Sequence, residues 1–203
     1  MIIPALEALQ RLKEGNQRFA AGKAQNSQCD EELRRKLANG QDPYAVILGC
    51  ADSRVPAELL FDQGLGDLFV VRVAGNIADP SLIGSVEFAA AKFGVRLVVV
   101  LGHSCCGAIE ATIGELRNPG GVASPNLSDI VNRISPAIEE LVSNSSTDAD
   151  AALIEEAVRI NVAATVKTLR ADSDILSDLE QNDGLQIVGA EYFLDSGTVE
   201  FFK

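Results

Sequence analysis

Four short runs of nearly unbroken apolar residues, 44–48, 68–73, 97–101 and 185–188, organise the chain. Runs of that length without polar alternation are what strands covered on both faces look like. Helical segments separate them. One opens with Asp79 as a cap and Pro80 in the first turn and ends before Gly94, and another starts near Cys105 and runs to Leu116. Strands alternating with helices predict a parallel sheet, because parallel neighbours need crossover connections.

The ends of the chain follow other patterns. Leu6, Leu9, Leu12 and Phe19 recur at helical spacing after Pro4, with Gly22 as the stop, and a charged helical stretch at 30–38 follows. After Pro119, Gly120 and Gly121 the chain turns mostly helical, with Pro136 as a break or first-turn residue and a long helix at about 149–169. The segment 193–202, turning at Asp195, Ser196 and Gly197, reads as a hairpin that closes on the preceding strand. The expected architecture is α/β: a central, mainly parallel sheet flanked by helices, with an N-terminal helical arm (1–40) and a C-terminal antiparallel hairpin, all in one domain over 1–203.

Composition narrows the partners. At 203 residues and 47% hydrophobic the chain can bury one sizeable core. A formal charge of −12 disfavours nucleic acid and anionic membrane surfaces. No run approaches the roughly 20 apolar residues that cross a bilayer, so the expectation is a soluble, cytoplasmic protein acting on a small molecule. Four cysteines, two of them adjacent, in a chain this rich in core residues point to thiolate or metal chemistry rather than to disulfide staples.

The chemistry gathers where two strands end. Cys50-Ala51-Asp52-Ser53-Arg54 follows the first apolar run, and Gly102-His103-Ser104-Cys105-Cys106-Gly107 follows the third. Open α/β sheets place ligand sites at the carboxyl ends of their strands. Two thiolates and an imidazole suit zinc and leave its fourth position open, which is a catalytic set rather than a closed structural one. Spacing favours Cys106 over Cys105 as the partner of His103, since groups three apart across one turn can face one point. Cys29 and Cys105 are read as small hydrophobes, Cys105 facing the core. Asp52 and Arg54 could form a plain surface ion pair, worth about 0–1 kcal/mol, but their closeness to Cys50 assigns them to the site.

These two motifs, in this order, resemble the paired signature of the β-carbonic anhydrase family, and the likeness extends through Phe69-Val70-Val71-Arg72-Val73-Ala74-Gly75-Asn76, the helix of Glu87 and the closing hairpin. The resemblance implies one zinc per chain on Cys50, His103 and Cys106, and reversible hydration of carbon dioxide by zinc-bound hydroxide. It implies that Asp52 orients the nucleophile and that Arg54 holds Asp52 off the metal. Gln41 would donate to a substrate oxygen, Gly107 would lie beside the zinc-bound ligand, and Phe69, Ala74 and Phe88 would line the carbon dioxide pocket. It also implies a homodimer or higher homo-oligomer, with the pocket at the subunit interface and the N-terminal helix packed on the partner, although an ordinary core-packing helix fits the residues equally well. One branch of the family binds bicarbonate at a tryptophan, an arginine and a tyrosine. Arg72 and Tyr192 match two of these, but Ile47 stands at the tryptophan position, which places the chain in the open-site branch. Competing readings are a carbonyl sulfide or carbon disulfide hydrolase on the same ligands, a non-catalytic zinc or bicarbonate binder, and a thiol redox protein, the last weakened by the lack of a Cys-x-x-Cys pair.

Overall fold

The computed structural model describes residues 2–25, 30–145 and 151–202. Its frame is a five-stranded sheet of order β2-β1-β3-β4-β5, made of β1 (Ala45–Gly49), β2 (Leu68–Arg72), β3 (Leu97–His103), β4 (Gln186–Tyr192) and β5 (Val199–Phe202). The first four in that order run parallel and β5 returns antiparallel, as the hairpin pattern requires. The central strands β1 and β3 are buried at every residue, which accounts for their lack of alternation, whereas the edge strand β2 is only partly covered.

Alternate β residues feed two cores. Ala45, Ile47, Val99 and Leu101 pack with α1 (Ala5–Ala20) and α3 (Ala57–Leu60) on one face. Val46, Leu48, Val98 and Val100 pack on the other face with α4 (Pro80–Lys92), α7 (Ala151–Ala171) and α8 (Asp174–Asn182). A third cluster caps the carboxyl ends of the strands, where α5 (Gly107–Arg117), α6 (Pro125–Asn144) and α7 meet, and it contains Cys50 and Cys106. Asp79 caps α4 through its carboxylate, with Pro80 in the first turn, as its sequence announces.

Three expectations change. Helix α1 buries Ala5, Ala8 and Leu12 and packs Leu9 and Phe19 against the same core as expected, whereas Leu6 is 69% exposed. Buried Asn16 fixes α1 to its own chain, donating to the carbonyls of Leu60 and Gly197 and accepting from Val199 N–H, so α1 is a core-packing helix. Helix α2 (Glu31–Leu37) buries nothing. Pro136 neither breaks nor begins a helix, because α6 runs through it. Its missing donor, a defect worth about 3 kcal/mol in a helix interior, is outweighed by the packing of Ile134 and Ile138, both fully buried on either side. The long helix begins at Ala151 among the described residues, and Cys29 and the start of the expected 149–169 run lie outside them.

The hairpin is tied to α7 by charge. Arg159 reaches fully buried Glu191 of β4 and Glu200 of β5, each at 2.8 Å, and lies over the rings of Phe193 and Phe202. Burial, only partly opposed by Arg159, pushes Glu191 up to about 6 from 4.5. The folded state therefore binds its proton more tightly than the unfolded chain, and ionisation of Glu191 lowers stability as pH rises through that window. Compared with a Glu191→Gln variant, the native protein should gain on the order of 2 kcal/mol between about pH 7 and pH 4, since each tenfold gain in proton affinity is worth ~1.4 kcal/mol. Urea midpoints of both proteins at the two pH values check this, and parallel pH profiles would refute it.

Candidate metal centre

The carboxyl ends of β1 and β3 are neighbours in the sheet, with Gly49 opposite Leu101. Cys50 leaves β1 immediately after Gly49, His103 is the last residue of β3, and Cys106 caps α5. Each of the three offers one ligand atom, and these atoms all lie within 4.8 Å of one another. Gly102 lets this happen beneath α7, since a Cβ there would meet Val162 at 2.6 Å and Val158 at 2.8 Å.

The donor set fits a soft divalent cation. His103 is fully buried, its Nδ1 is bonded to the carbonyl of Ser104 at 2.9 Å, and its Nε2 has no hydrogen-bond partner. A buried imidazole nitrogen without a partner is costly, and a metal would satisfy it, with the Ser104 carbonyl fixing the tautomer. The two thiols act on one another. The hydrogen bond from Cys106 holds the Cys50 thiol down at about 4 against the effect of burial, while the same contact, aided by burial, pushes Cys106 up. A divalent cation bound there would take both sulfurs as thiolates. Backbone amides face both sulfurs: Gly75 N–H donates to Cys50 Sγ at 3.4 Å, and those of Ala108 and Ile109 in the first turn of α5 face Cys106.

Cys105 corrects the expectation that it faces the core. It is exposed and has φ 54°, a left-handed conformation that turns its side chain to solvent and lets Cys106 turn inward. Only its carbonyl joins the site, accepting from Arg54 at 3.3 Å.

Asp52 and Arg54 form a two-pronged pair, Nε to Oδ1 at 2.9 Å and a terminal nitrogen to Oδ2 at 2.7 Å, and the Arg54 N–H adds a third bond at 2.9 Å. The Arg54 side chain holds the Asp52 carboxyl well below the usual carboxylate range. Asp52 Oδ2 stands 3.9 Å from His103 Nε2, so an ionised carboxylate lies beside the place a metal would take. Sequence reasoning missed what Arg72 does here: it donates to the carbonyls of Cys50 at 3.0 Å and Asp52 at 2.6 Å, anchoring the loop to β2. Ile47 is fully buried in the apolar core beneath the site, and Tyr192 pairs with His103 across the sheet.

The other expected residues divide into two groups. Ala74 and Gly107 line an apolar cavity of about 660 Å³ between α5 and α6, next to Cys106. Gln41, Phe69 and Phe88 are not brought to this chain's cysteines. Gln41 precedes β1 and lines a separate recess with Leu33, Lys36 and Leu65, whereas Cys50 follows the far end of the strand. At about 3.3 Å per residue, no glutamine side chain spans that distance. Phe69 pairs with Val46 near the start of β1, and Phe88, 53% exposed on α4, packs with Phe69 at 6.3 Å and Phe93 at 5.7 Å. The polarity of β1 already carries this information, since Gln41 and Cys50 flank one extended run.

Comparison with known proteins agrees with this geometry. The profile of the family described as carbonic anhydrase matches residues 45–199. The chain is 43% identical over 190 residues to carbonic anhydrase 2 of Mycobacterium tuberculosis, covering 94% of this chain and 89% of that one. It is 42% identical over 193 residues to the carbonic anhydrase of Mycolicibacterium smegmatis, covering 95% and 91%. Among solved structures it resembles the β-carbonic anhydrase CafA of Aspergillus fumigatus, with a TM-score of 0.76 at 26% identity, covering 97% of this chain and 89% of that one.

Proposed function

Because the chain belongs to the carbonic anhydrase family, in its β class, we propose that Cys50, His103 and Cys106 are the ligands of its catalytic zinc and that Asp52 and Arg54 complete the catalytic apparatus. The protein is a zinc-dependent carbonic anhydrase that interconverts carbon dioxide and bicarbonate. The observation that carries the ligand assignment is the unpartnered His103 Nε2, buried between two thiols beside an ionised carboxylate. Zinc, when bound, lowers the pKa of its water to about 7 and supplies a hydroxide nucleophile near neutral pH.

The chain's own groups then do the rest. Asp52 stays ionised and accepts a hydrogen bond from the attacking group, which turns that group's lone pair toward the carbon of the substrate. Arg54 fixes that carboxylate in place, and Arg72 fixes the loop beneath it. The amides facing Cys50 and Cys106 draw charge from the sulfurs, countering the electron donation of two thiolates that would otherwise make the metal a weaker acid. Ala74 and Gly107 offer an apolar wall suited to a neutral, linear substrate. Neither sulfide hydrolysis nor metal storage is favoured by the family match, and storage has no use for the Asp52–Arg54 pair.

The placement of Gln41, Phe69 and Phe88 supports a homodimer in which each chain supplies these residues to its partner's zinc. In this reading residues 1–203 form one domain and the protein works in the cytoplasm on a small neutral substrate. No described helix is long and apolar enough to cross a membrane.

Stopped-flow hydration assays, with zinc measured on the same sample, test the reaction, and carbonyl sulfide turnover exceeding hydration would reverse the assignment. Mixing tests the shared site. Gln41→Ala should lower activity about a hundredfold, in keeping with the loss of one hydrogen bond to developing charge, and Cys106→Ser should abolish it. Mixed dimers of the two variants should regain activity, because one of their two sites has intact zinc ligands and an intact glutamine. Activity no higher than the sum of the separate variants would place Gln41 within its own chain's chemistry or outside the site.

A further inference from the structure

The buried face of α7 is an apolar stripe, Leu153, Ala157, Val158, Val162, Val166 and Leu169, interrupted by Asn161 and Thr165. Asn161 is 2% exposed, and its Nδ2 donates to the carbonyl of Gly75 at 2.8 Å, 86 residues away in sequence. Gly75 is the residue whose own N–H points at Cys50 Sγ. It sits at φ 71° in the short 3₁₀ turn Ala74–Asn76, and a Cβ there would meet Ile134 at 2.7 Å. Only glycine fits that space and that conformation, and glycine brings no preference of its own to hold its peptide planes in place. Asn161 holds the Gly75 carbonyl from α7, while the Asn76 N–H of the same peptide donates to the carbonyl of Val73 at 3.1 Å.

We propose that Asn161 is a positioning residue for the metal centre, which clamps Gly75 so that its N–H donates to the Cys50 sulfur. The bond has a direct consequence for the ligand. An amide donated to a thiolate withdraws charge from it, reducing the supply of electrons to the cation and orienting the sulfur lone pairs, as outer-sphere hydrogen bonds do for metal-bound groups generally. A buried amide in an apolar stripe needs a partner, and a purely structural role would end with the Gly75 carbonyl. The clamp extends further, through Gly75 to the sulfur.

This role rests on Cys50 being a zinc ligand, and the tests keep the two apart. Zinc well below one per chain in the native protein would overturn the ligand assignment, and the role of Asn161 with it. With full zinc loading, Asn161→Ala should release zinc to a chromogenic chelator about tenfold faster, the lower end of what outer-shell substitutions cost. Its cobalt-substituted form should show the thiolate-to-metal charge-transfer band at longer wavelength, since a sulfur without its amide is the better donor. Val166→Ala, on the same helix face and away from the 74–76 turn, controls for loosened packing and should leave both readouts unchanged. Equal readouts in the two variants would reduce Asn161 to a structural role.

A measurement on the native protein needs no variant to fold. In cadmium-113-substituted protein the Gly75 amide proton should show scalar coupling to the metal through the N–H···S bond. Absence of that coupling, with coupling seen at the amides facing Cys106, would remove the link between Asn161 and the metal.

Discussion

Replacing Cys106 with serine will strip the protein of zinc and bring hydration down to the uncatalysed rate, while the same change at Cys105 will leave both intact. The two residues are adjacent, yet the backbone sends them opposite ways. Cys106 is buried as the cap of α5, in reach of Cys50 and His103, and Cys105 is exposed on a left-handed residue. A serine hydroxyl is nearly the same size as the thiol, so the fold should survive. It does not ionise near neutral pH as a thiol beside a metal does, and it is a poorer ligand for a borderline-soft cation. The loss of zinc affinity should be at least about 100-fold, the upper end of outer-shell effects, because here a ligand itself is removed. Elemental analysis after dialysis, circular dichroism and stopped-flow assays read the three consequences. Zinc retained in Cys106→Ser, or lost in Cys105→Ser, would show that the wrong neighbour has been chosen.

The second large effect is expected at Arg54. In Arg54→Gln the protein should keep its zinc and lose about a hundredfold in kcat/KM, comparable to the effect of misplacing a reacting group by an ångström. Arg54 makes three bonds to the Asp52 carboxylate, which lies 3.9 Å from His103 Nε2. With the guanidinium gone, the carboxylate is released to turn toward the metal, and an Asp52 bound there would occupy the position the substrate chemistry needs. Arg54→Lys should recover only part of the rate, because an ammonium cannot form the planar fork. Zinc-edge X-ray absorption should show an added carboxylate oxygen in Arg54→Gln. Native activity in that variant, or release of its zinc, would contradict this role for Arg54.

Much of this could be read from the residues because both the sheet and the ligands leave direct traces. The uninterrupted apolar runs of β1 and β3 follow from burial on both faces, and the cap at Asp79 follows from its carboxylate. The convergence of Cys50, His103 and Cys106 was legible because loops at adjacent strand ends can meet. What escaped depends on tertiary context. The outward turn of Cys105 requires a positive φ that its identity does not announce. The passage of α6 through Pro136 depends on packing from α5 and α7, and the role of Asn161 depends on a glycine 86 positions away. The resemblance supplied Gln41, Phe69 and Phe88 as site residues without saying on which chain's site they act.

The polarity of β1 has a last consequence. If Gln41 serves the partner's metal as proposed, a strand flanked by Gln41 before it and Cys50 after it makes activity a property of the encounter between chains. Mass action would then govern the enzyme: diluting it below the dissociation constant of the proposed dimer should lower the turnover per zinc while every zinc stays bound. Conditions that merely separate subunits would switch the catalyst off with its metal centre intact, and reconcentration would switch it on again.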